Sequence, residues 1–361
     1  MTTLLMIGTR KGLWLATSPD RVDWSLSGPH FAMEEVYSVL VDRRDGMTRL
    51  LAGCSSSWFG PQVRRSDDLG ETWQESPEGV RFPEDTGAAV ARVWQLVPGV
   101  EPDVVWAGTE PGAIFRSTDR GESFELVRGL WDHPHRPEWN EGFGGQAFHT
   151  ILPHPTDGDS VLAAISTGGV YRTRDGGASW SASNTGVKAE FMPGDRHYPE
   201  FGQCVHKVAR DSADPERLYL QNHGGVYRSD DGGASWLDIA PGLPSEFGFA
   251  MVAHPHRADT AYTFPIADAG ARWPVDARAR VWRTTDAGGS WSALGEGSLP
   301  DGFYAAVMRD AMCADDHDPA GLYFGGRNGV VWGSPDEGDT WRQVAADLPD
   351  VLVVRAAELS D

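Results

Sequence analysis

An eight-residue pattern returns along the chain and constrains its fold more than any bulk property. Its first full copy reads Ser66-Asp67-Asp68-Leu69-Gly70-Glu71-Thr72-Trp73. It recurs at 117–124, 173–180, 229–236, 284–291 and 334–341, with Phe124 replacing the tryptophan in the second copy. A reduced copy near the start keeps Ser18, Asp20 and Trp24 but lacks the glycine. The terminal aromatics are Trp24, Trp73, Phe124, Trp180, Trp236, Trp291 and Trp341, spaced by 49, 51, 56, 56, 55 and 50 residues. A period of about 50 residues is that of a small antiparallel sheet repeated many times over.

The residue types explain the pattern as a turn. Aspartate and serine or threonine oxygens accept hydrogen bonds from turn amides. The glycine permits a positive φ, and the aromatic ring buries itself between neighbouring sheets. Alternating apolar residues precede each copy, as at 225–229, so each copy joins two strands of a hairpin. These units resemble the Asp-box, or BNR, repeats of sialidase-like and glycosyl-hydrolase-like propellers, and the resemblance covers nearly the whole chain. It implies an all-β fold, a seven-bladed β-propeller of four-stranded antiparallel blades, in one domain spanning 1–361.

Strand periodicity fills in the rest of each repeat. First strands are expected at 37–42, 93–97, 148–153, 205–210, 249–254 and 304–309, and second strands at 49–53, 104–108, 218–222 and 322–325. The chain opens on a second-strand pattern at 4–8, and 351–356 matches the missing first strand. The C-terminal strand is therefore expected to close the first blade, which removes an open sheet edge.

Composition narrows the partners. With 31 Lys and Arg against 52 Asp and Glu, the formal charge is −21, which repels phosphate backbones and anionic membranes. Neither nucleic acid nor membrane is expected as a partner. Cys54, Cys204 and Cys313 form no disulfide framework. The start lacks a basic leader and a small-residue cleavage site, and no apolar run approaches the roughly 20 residues of a membrane span. The expected location is the cytoplasm.

The turns are short and uniform, so a ligand site is expected at the opposite ends of the sheets, where the irregular loops fall. Four loops depart from the repeat, at 54–61, 131–146, 190–203 and 265–278. His149 and His206 occupy equivalent places in the first strands of neighbouring repeats, and His223 lies in the turn beside His206, with Cys204, Gln146 and Gln203 close in sequence. Imidazole suits divalent transition metals, so His149, His206 and His223 are the candidate metal ligands. A hydrogen-bonded lining or packing between blades accounts for the same residues. His133 and His135 are further loop histidines.

The resemblance implies specific chemistry. Sialidases of this kind bind a substrate carboxylate with three arginines, attack with a tyrosine activated by glutamate, and protonate with an aspartate. Their Arg-Ile-Pro signature is missing. The corresponding segment reads Ile7-Gly8-Thr9-Arg10-Lys11-Gly12, and only Arg10 answers to it. Arg92 and Arg327 fall on the loop-rich side as further anion binders, while Tyr37 and Tyr304 head first strands without a glutamate partner evident in sequence.

General glycosidase chemistry needs two carboxyl groups about 5–5.5 Å or 6.5–9.5 Å apart. Glu34, Glu110, Glu141, Glu200 and Asp268 lie on the loop-rich side. Glu200 and Glu141, with Arg92, are assigned to catalysis. Trp58, Trp139 and Trp273 are assigned as a sugar-stacking floor, with Arg327 and Arg10 as further substrate contacts. The expected function is that of a hydrolase-like enzyme acting on a small polar or sugar-like ligand, with metal assistance. The second reading is a non-catalytic propeller that binds or assembles proteins.

Overall fold

A computed structural model describes residues 2–76, 78–142 and 145–359. Residues 143 and 144 of the 131–146 loop lie outside them. The protein is all-β with little helix, and its strands form antiparallel four-stranded sheets of the β-propeller kind. Among the described residues, no helix is long and apolar enough to cross a membrane.

Contacts divide the chain into two compact units. The first comprises Met1–Ala32, Gly186–Tyr198 and His206–Asp361, and the second Met33–Thr185 and Pro199–Val205. The second unit holds three sheets. One is built from Glu35–Asp42, Arg49–Ser56, Gly60–Ser66 and Gln74–Glu75. The next uses Arg92–Pro98, Val105–Glu110, Ala113–Ser117 and Glu125–Leu126. The third uses Phe148–Pro153, Val161–Ile165, Gly169–Thr173 and Ser181–Ala182. The first unit has four-stranded sheets at 205–238, from His206 onward, and at 248–294, and one eight-stranded sheet.

That eight-stranded sheet contains the closure expected from sequence. Val351–Leu359 runs antiparallel to Thr2–Thr9, which pairs in turn with Gly12–Ser18 and Ser25–His30. A single parallel bridge, Asp310 to Val353, joins this half to the antiparallel half at 307–345. Several strand limits differ from expectation, as at Glu35–Asp42 and Gly248–Ala253, and one differs further. The strand expected at 304–309 is Val307–Ala314, so Tyr304 precedes it and stands exposed.

Second strands such as Val161–Ile165 are buried at every residue. A sheet packed on both faces needs apolar side chains on both, so period-two alternation is lost there. Side chains also tie neighbouring sheets together within each unit. In the second, Ser38 Oγ donates to Val93 O and Ser76 Oγ to Gly121 O, at 2.8 and 2.7 Å. In the first, Arg228 Nη1 donates to Ala287 O at 2.7 Å.

The recurrent turn is a closed set of hydrogen bonds. Ser334 Oγ donates to Asp336 Oδ1 at 2.7 Å and accepts from the Gly338 amide at 2.8 Å. The same carboxylate accepts from the Thr340 amide and hydroxyl at 2.8 and 2.6 Å. This four-bond set recurs around Asp68, Asp119, Asp175, Asp231 and Asp286. Gly338 has φ +95, a left-handed conformation that favours glycine. Trp341 is buried 5.2 Å from Phe324. In the reduced copy, Asp20 still accepts from the Val22 and Asp23 amides at 2.9 Å, and Trp24 packs edge-on against Tyr323 at 5.7 Å.

Two predictions follow from the turn. Asp336→Ala is expected to lower stability by about 1–2 kcal/mol, as loss of a capping side chain does, read as a reduced urea midpoint. Hydrogen bonds led by the Ser66 hydroxyl hold Asp68 at about 2, and those led by the Ser179 hydroxyl hold Asp175 at about 2, against an ordinary 3.8. A depressed folded-state pKa stabilises above the unfolded value and loses that contribution as pH falls through the folded one. An acid titration followed by circular dichroism should therefore show stability falling between about pH 4 and 2.

Candidate functional site

Strand register puts the heads of first strands at the ends of the sheets opposite the turns. Glu35 pairs with Ser55, whereas Ser66, which opens a turn, pairs with Leu50 at the other end. Arg92 likewise pairs with Glu110, and Ser117 with Val105. Both first strands carry a register irregularity beside Glu35 and Arg92, and Tyr37 and Trp94 are the residues it leaves without a strand partner.

In the second unit these residues meet. Arg92 Nη1 lies 3.1 Å from Glu110 Oε2, and Arg92 Nε lies 3.3 Å from Glu35 Oε2. One guanidinium thus bridges two carboxylates from neighbouring sheets, all three half-buried. The Trp94 indole N–H donates to Glu110 Oε2 at 2.9 Å. Arg92 Cζ sits 5.3 Å from the centre of the Tyr37 ring, and Tyr37 lies 4.7 Å from Trp94. Burial disfavours the charged Arg92, but Tyr37, Glu110 and Glu35 outweigh it and leave its pKa raised. Gly145, with φ +83, approaches this carboxylate closely. A Cβ there would fall 2.5 Å from Glu110 Oε1, so glycine lets the loop pass over Glu110.

This arrangement pairs two acids with an aromatic wall. The acids and the guanidinium can bind hydroxyl groups, and Tyr37 and Trp94 stand partly buried beside them. Arg92 and Glu110 were among the residues nominated from sequence. Glu35 and Trp94 were not, and the register irregularities at Tyr37 and Trp94 hide both pairs from a reading by strand period. Glu34 faces away from this arrangement. It ion-pairs with Arg64 at 2.8 Å, and burial raises its pKa despite that cation.

The other nominated residues are placed as follows. Glu141 and Glu200 are exposed, and among the described residues Arg92 pairs with neither. Trp139 is a correction: at 6% exposure it is a loop anchor. Its indole N–H donates to the Tyr171 hydroxyl at 2.9 Å, and its ring packs against Phe148, so no face is open to a sugar. His135 stacks on Phe201 at 4.0 Å, and His133 packs against Tyr171 at 5.2 Å. Trp58 and its neighbour Phe59 are 89% and 78% exposed at a hairpin tip, where Ser56 Oγ accepts from both amides at 3.2 Å.

In the first unit, Trp273 meets Tyr304 edge-on at 5.8 Å. Arg10 and Arg327 converge on one carboxylate, Asp350, at 3.3 and 2.6 Å. His206 is buried, with Nδ1 2.6 Å from Gly248 O. That nitrogen therefore carries the proton and Nε2 the lone pair. The His223 ring lies 5.5 Å away. Burial lowers both pKa values, and Arg272 opposes protonation of each. His149 is in the second unit, with Nε2 3.2 Å from Ser166 Oγ.

Comparisons with known proteins place the fold in context. No family model matches the chain. It is 26% identical over 275 residues to an oligoxyloglucan-reducing end-specific xyloglucanase of Emericella nidulans, covering 66% of this chain and 30% of that one. It is 24% identical over 260 residues to a xyloglucanase of Paenibacillus sp, covering 64% of this chain and 23% of that one. The chain thus spans about a quarter to a third of the length of these curated relatives. Among solved structures, it resembles an ancestral GH74 enzyme with a TM-score of 0.59 and 17% identity, over 86% of this chain and 38% of that one. A periplasmic gluconolactonase of Pseudomonas aeruginosa matches over all of both chains, with a TM-score of 0.62 and 14% identity. YCF48 bound to D1 peptide matches over 85% of this chain and 81% of that one, with a TM-score of 0.51 and 14% identity. These likenesses support a β-propeller fold of the glycosyl-hydrolase-like kind.

The hydrogen bond between Trp94 and Glu110 gives a local test. Glu110→Leu should speed solvent exchange of the Trp94 indole proton measured by NMR, and unchanged exchange would contradict the contact. Arg92→Leu should cost about 0.5–1 kcal/mol, because the ion pairs are partly exposed.

Proposed function

We propose that this chain is a seven-bladed Asp-box propeller that cleaves a glycosidic bond in a soluble oligosaccharide. The recurrent turns are read as Asp-boxes. Five four-stranded sheets plus the two antiparallel halves of the eight-stranded sheet give the seven blades, taken as one domain over 1–361. Cys54, Cys204 and Cys313 are buried thiols, which suits a reducing compartment and a cytoplasmic location.

The observation that carries the reading is the convergence of Glu35 and Glu110 on Arg92 beside Tyr37 and Trp94. Two carboxyl groups flanking one bond are the common requirement of glycoside hydrolysis. Glu110, held by Arg92 and Trp94, is assigned to act as the carboxylate towards water or the sugar carbon. Glu35, at the longer of the two Arg92 contacts, is assigned to donate the proton to the leaving oxygen. The similarity to xyloglucanases supports a carbohydrate substrate. Glu141 and Glu200 are less well suited, because neither joins a second acid at this guanidinium.

A specific observation favours a second reading, in which the chain binds a protein segment. Trp58 and Phe59 present exposed rings on a hairpin tip, and a structural neighbour is recorded with a bound peptide.

The test is reducing-end release from xyloglucan oligosaccharides by the purified chain. Glu35→Gln and Glu110→Gln are each expected to reduce the rate by about 100-fold or more, with Trp58→Ala affecting it much less. Full activity in both glutamine variants would refute the assignment. Inactivity of the native chain on every saccharide, with peptide binding lost in Trp58→Ala, would favour the second reading.

A further inference from the structure

His206 lies at the centre of a compact cluster in the first unit. Its ring is 4.6 Å from Phe249 at an angle of 33°, and 5.6 Å from Phe247. His223 packs against the same Phe247 at 4.9 Å. Two guanidinium groups complete the cluster, with Arg309 Cζ 5.2 Å and Arg272 Cζ 5.8 Å from the centre of the Phe249 ring.

The charges around it are unequal. Arg272 Nε donates to Ala269 O at 3.0 Å, and among the described residues no carboxylate pairs with it. The residue following His206 adds a cation and the one following Arg309 an acid. Lys207 Nζ lies 2.7 Å from Asp310 Oδ1, and Arg355 ion-pairs with the same carboxylate. These two cations therefore share one acid. Glu190, which acts on His223, is already 3.7 Å from Lys188 Nζ. A half-buried cation held in place beside aromatic rings, in a chain of formal charge −21, attracts an anion.

The two imidazoles would suit a divalent metal. Arg272 and Arg309 act on His206 as like charges, and Arg272 acts on His223 in the same way. They would repel a bound metal ion as they repel a proton. An oxyanion gains from the same charges and can take donors from the guanidinium and from the neutral His223 ring.

We propose that Arg272 and His223, beside His206 and Phe249, bind the carboxylate or phosphate group of a small molecule, with Arg272 as the anchoring cation. The site lies in the first unit, whereas the paired acids belong to the second, so it stands independently of the glycosidase reading.

The experiment is isothermal titration calorimetry of the full chain with inorganic phosphate and separately with acetate, at constant ionic strength in chloride. Saturable binding of at least one is expected, and the one that binds identifies the oxyanion. Arg272→Gln should weaken it by about tenfold or more. Glu190→Gln, an exposed change that removes a competing negative charge, should tighten it severalfold. Circular dichroism of both variants separates lost binding from lost folding, and should Arg272→Gln not fold, Glu190→Gln decides. No saturable binding of either anion would overturn the proposal, as would equal affinity in the variants and the native chain. Stoichiometric metal in the purified protein that His206→Ala abolishes would also overturn it, in favour of the metal site.

Discussion

The carboxylate at the centre of each recurrent turn is the interaction on which the rest of the structure depends. Asp336 and its counterparts accept from a hydroxyl two residues before, and from an amide and a hydroxyl four residues after. Serine or threonine at the start closes the loop by accepting the glycine amide. The turn thereby satisfies its own polar groups, which would otherwise be costly at the edge of a core. It also sets where the third strand stops and aims the following aromatic ring into buried space. Because this end of the sheet is self-sufficient, the opposite end can carry loops of any length without disturbing strand pairing.

Function is read from those opposite ends. Arg92 organises the end of two sheets by bridging acids that would otherwise repel one another, and Trp94 and Tyr37 fix the acids beside a flat apolar surface. The geometry suits a ligand that offers both hydroxyl groups and an apolar ring face, which is the chemistry of a sugar. The first unit uses the equivalent positions differently. Arg10 and Arg327 hold Asp350 between them, and Arg272 stands over an aromatic ring. Similar sheets thus present an acid-rich arrangement in one unit and a cation-rich one in the other.

Much of the architecture was legible because its determinants are local. The turn bonds span at most four residues, so they leave a readable motif. The strands at 148–153 and 205–210 match expectation to the residue, and the pairing of Val351–Leu359 with Thr2–Thr9 followed from the missing first strand. The site was less legible because its contacts are not local. Glu35 and Arg92 are 57 residues apart, and nothing in either segment names the other. Tryptophans in loops look alike in sequence, yet Trp58 is exposed and Trp139 is buried against Phe148 and Tyr171. Histidine spacing suggested a metal, and the arginines that act on His206 and His223 come from distant strands and loops, unseen in that spacing. Tyr304 was misplaced by three residues because the apolar run before Val307 continues the strand pattern without joining the sheet.

The most direct measurement of the central claim is a crystal structure of the Glu35→Gln variant grown with a xyloglucan oligosaccharide. The account predicts a sugar ring against Tyr37 and Trp94, with a glycosidic oxygen between residues 35 and 110 and within hydrogen-bonding reach of both. A saccharide bound elsewhere, or an unchanged ion-paired site without sugar at saturating concentration, would contradict it.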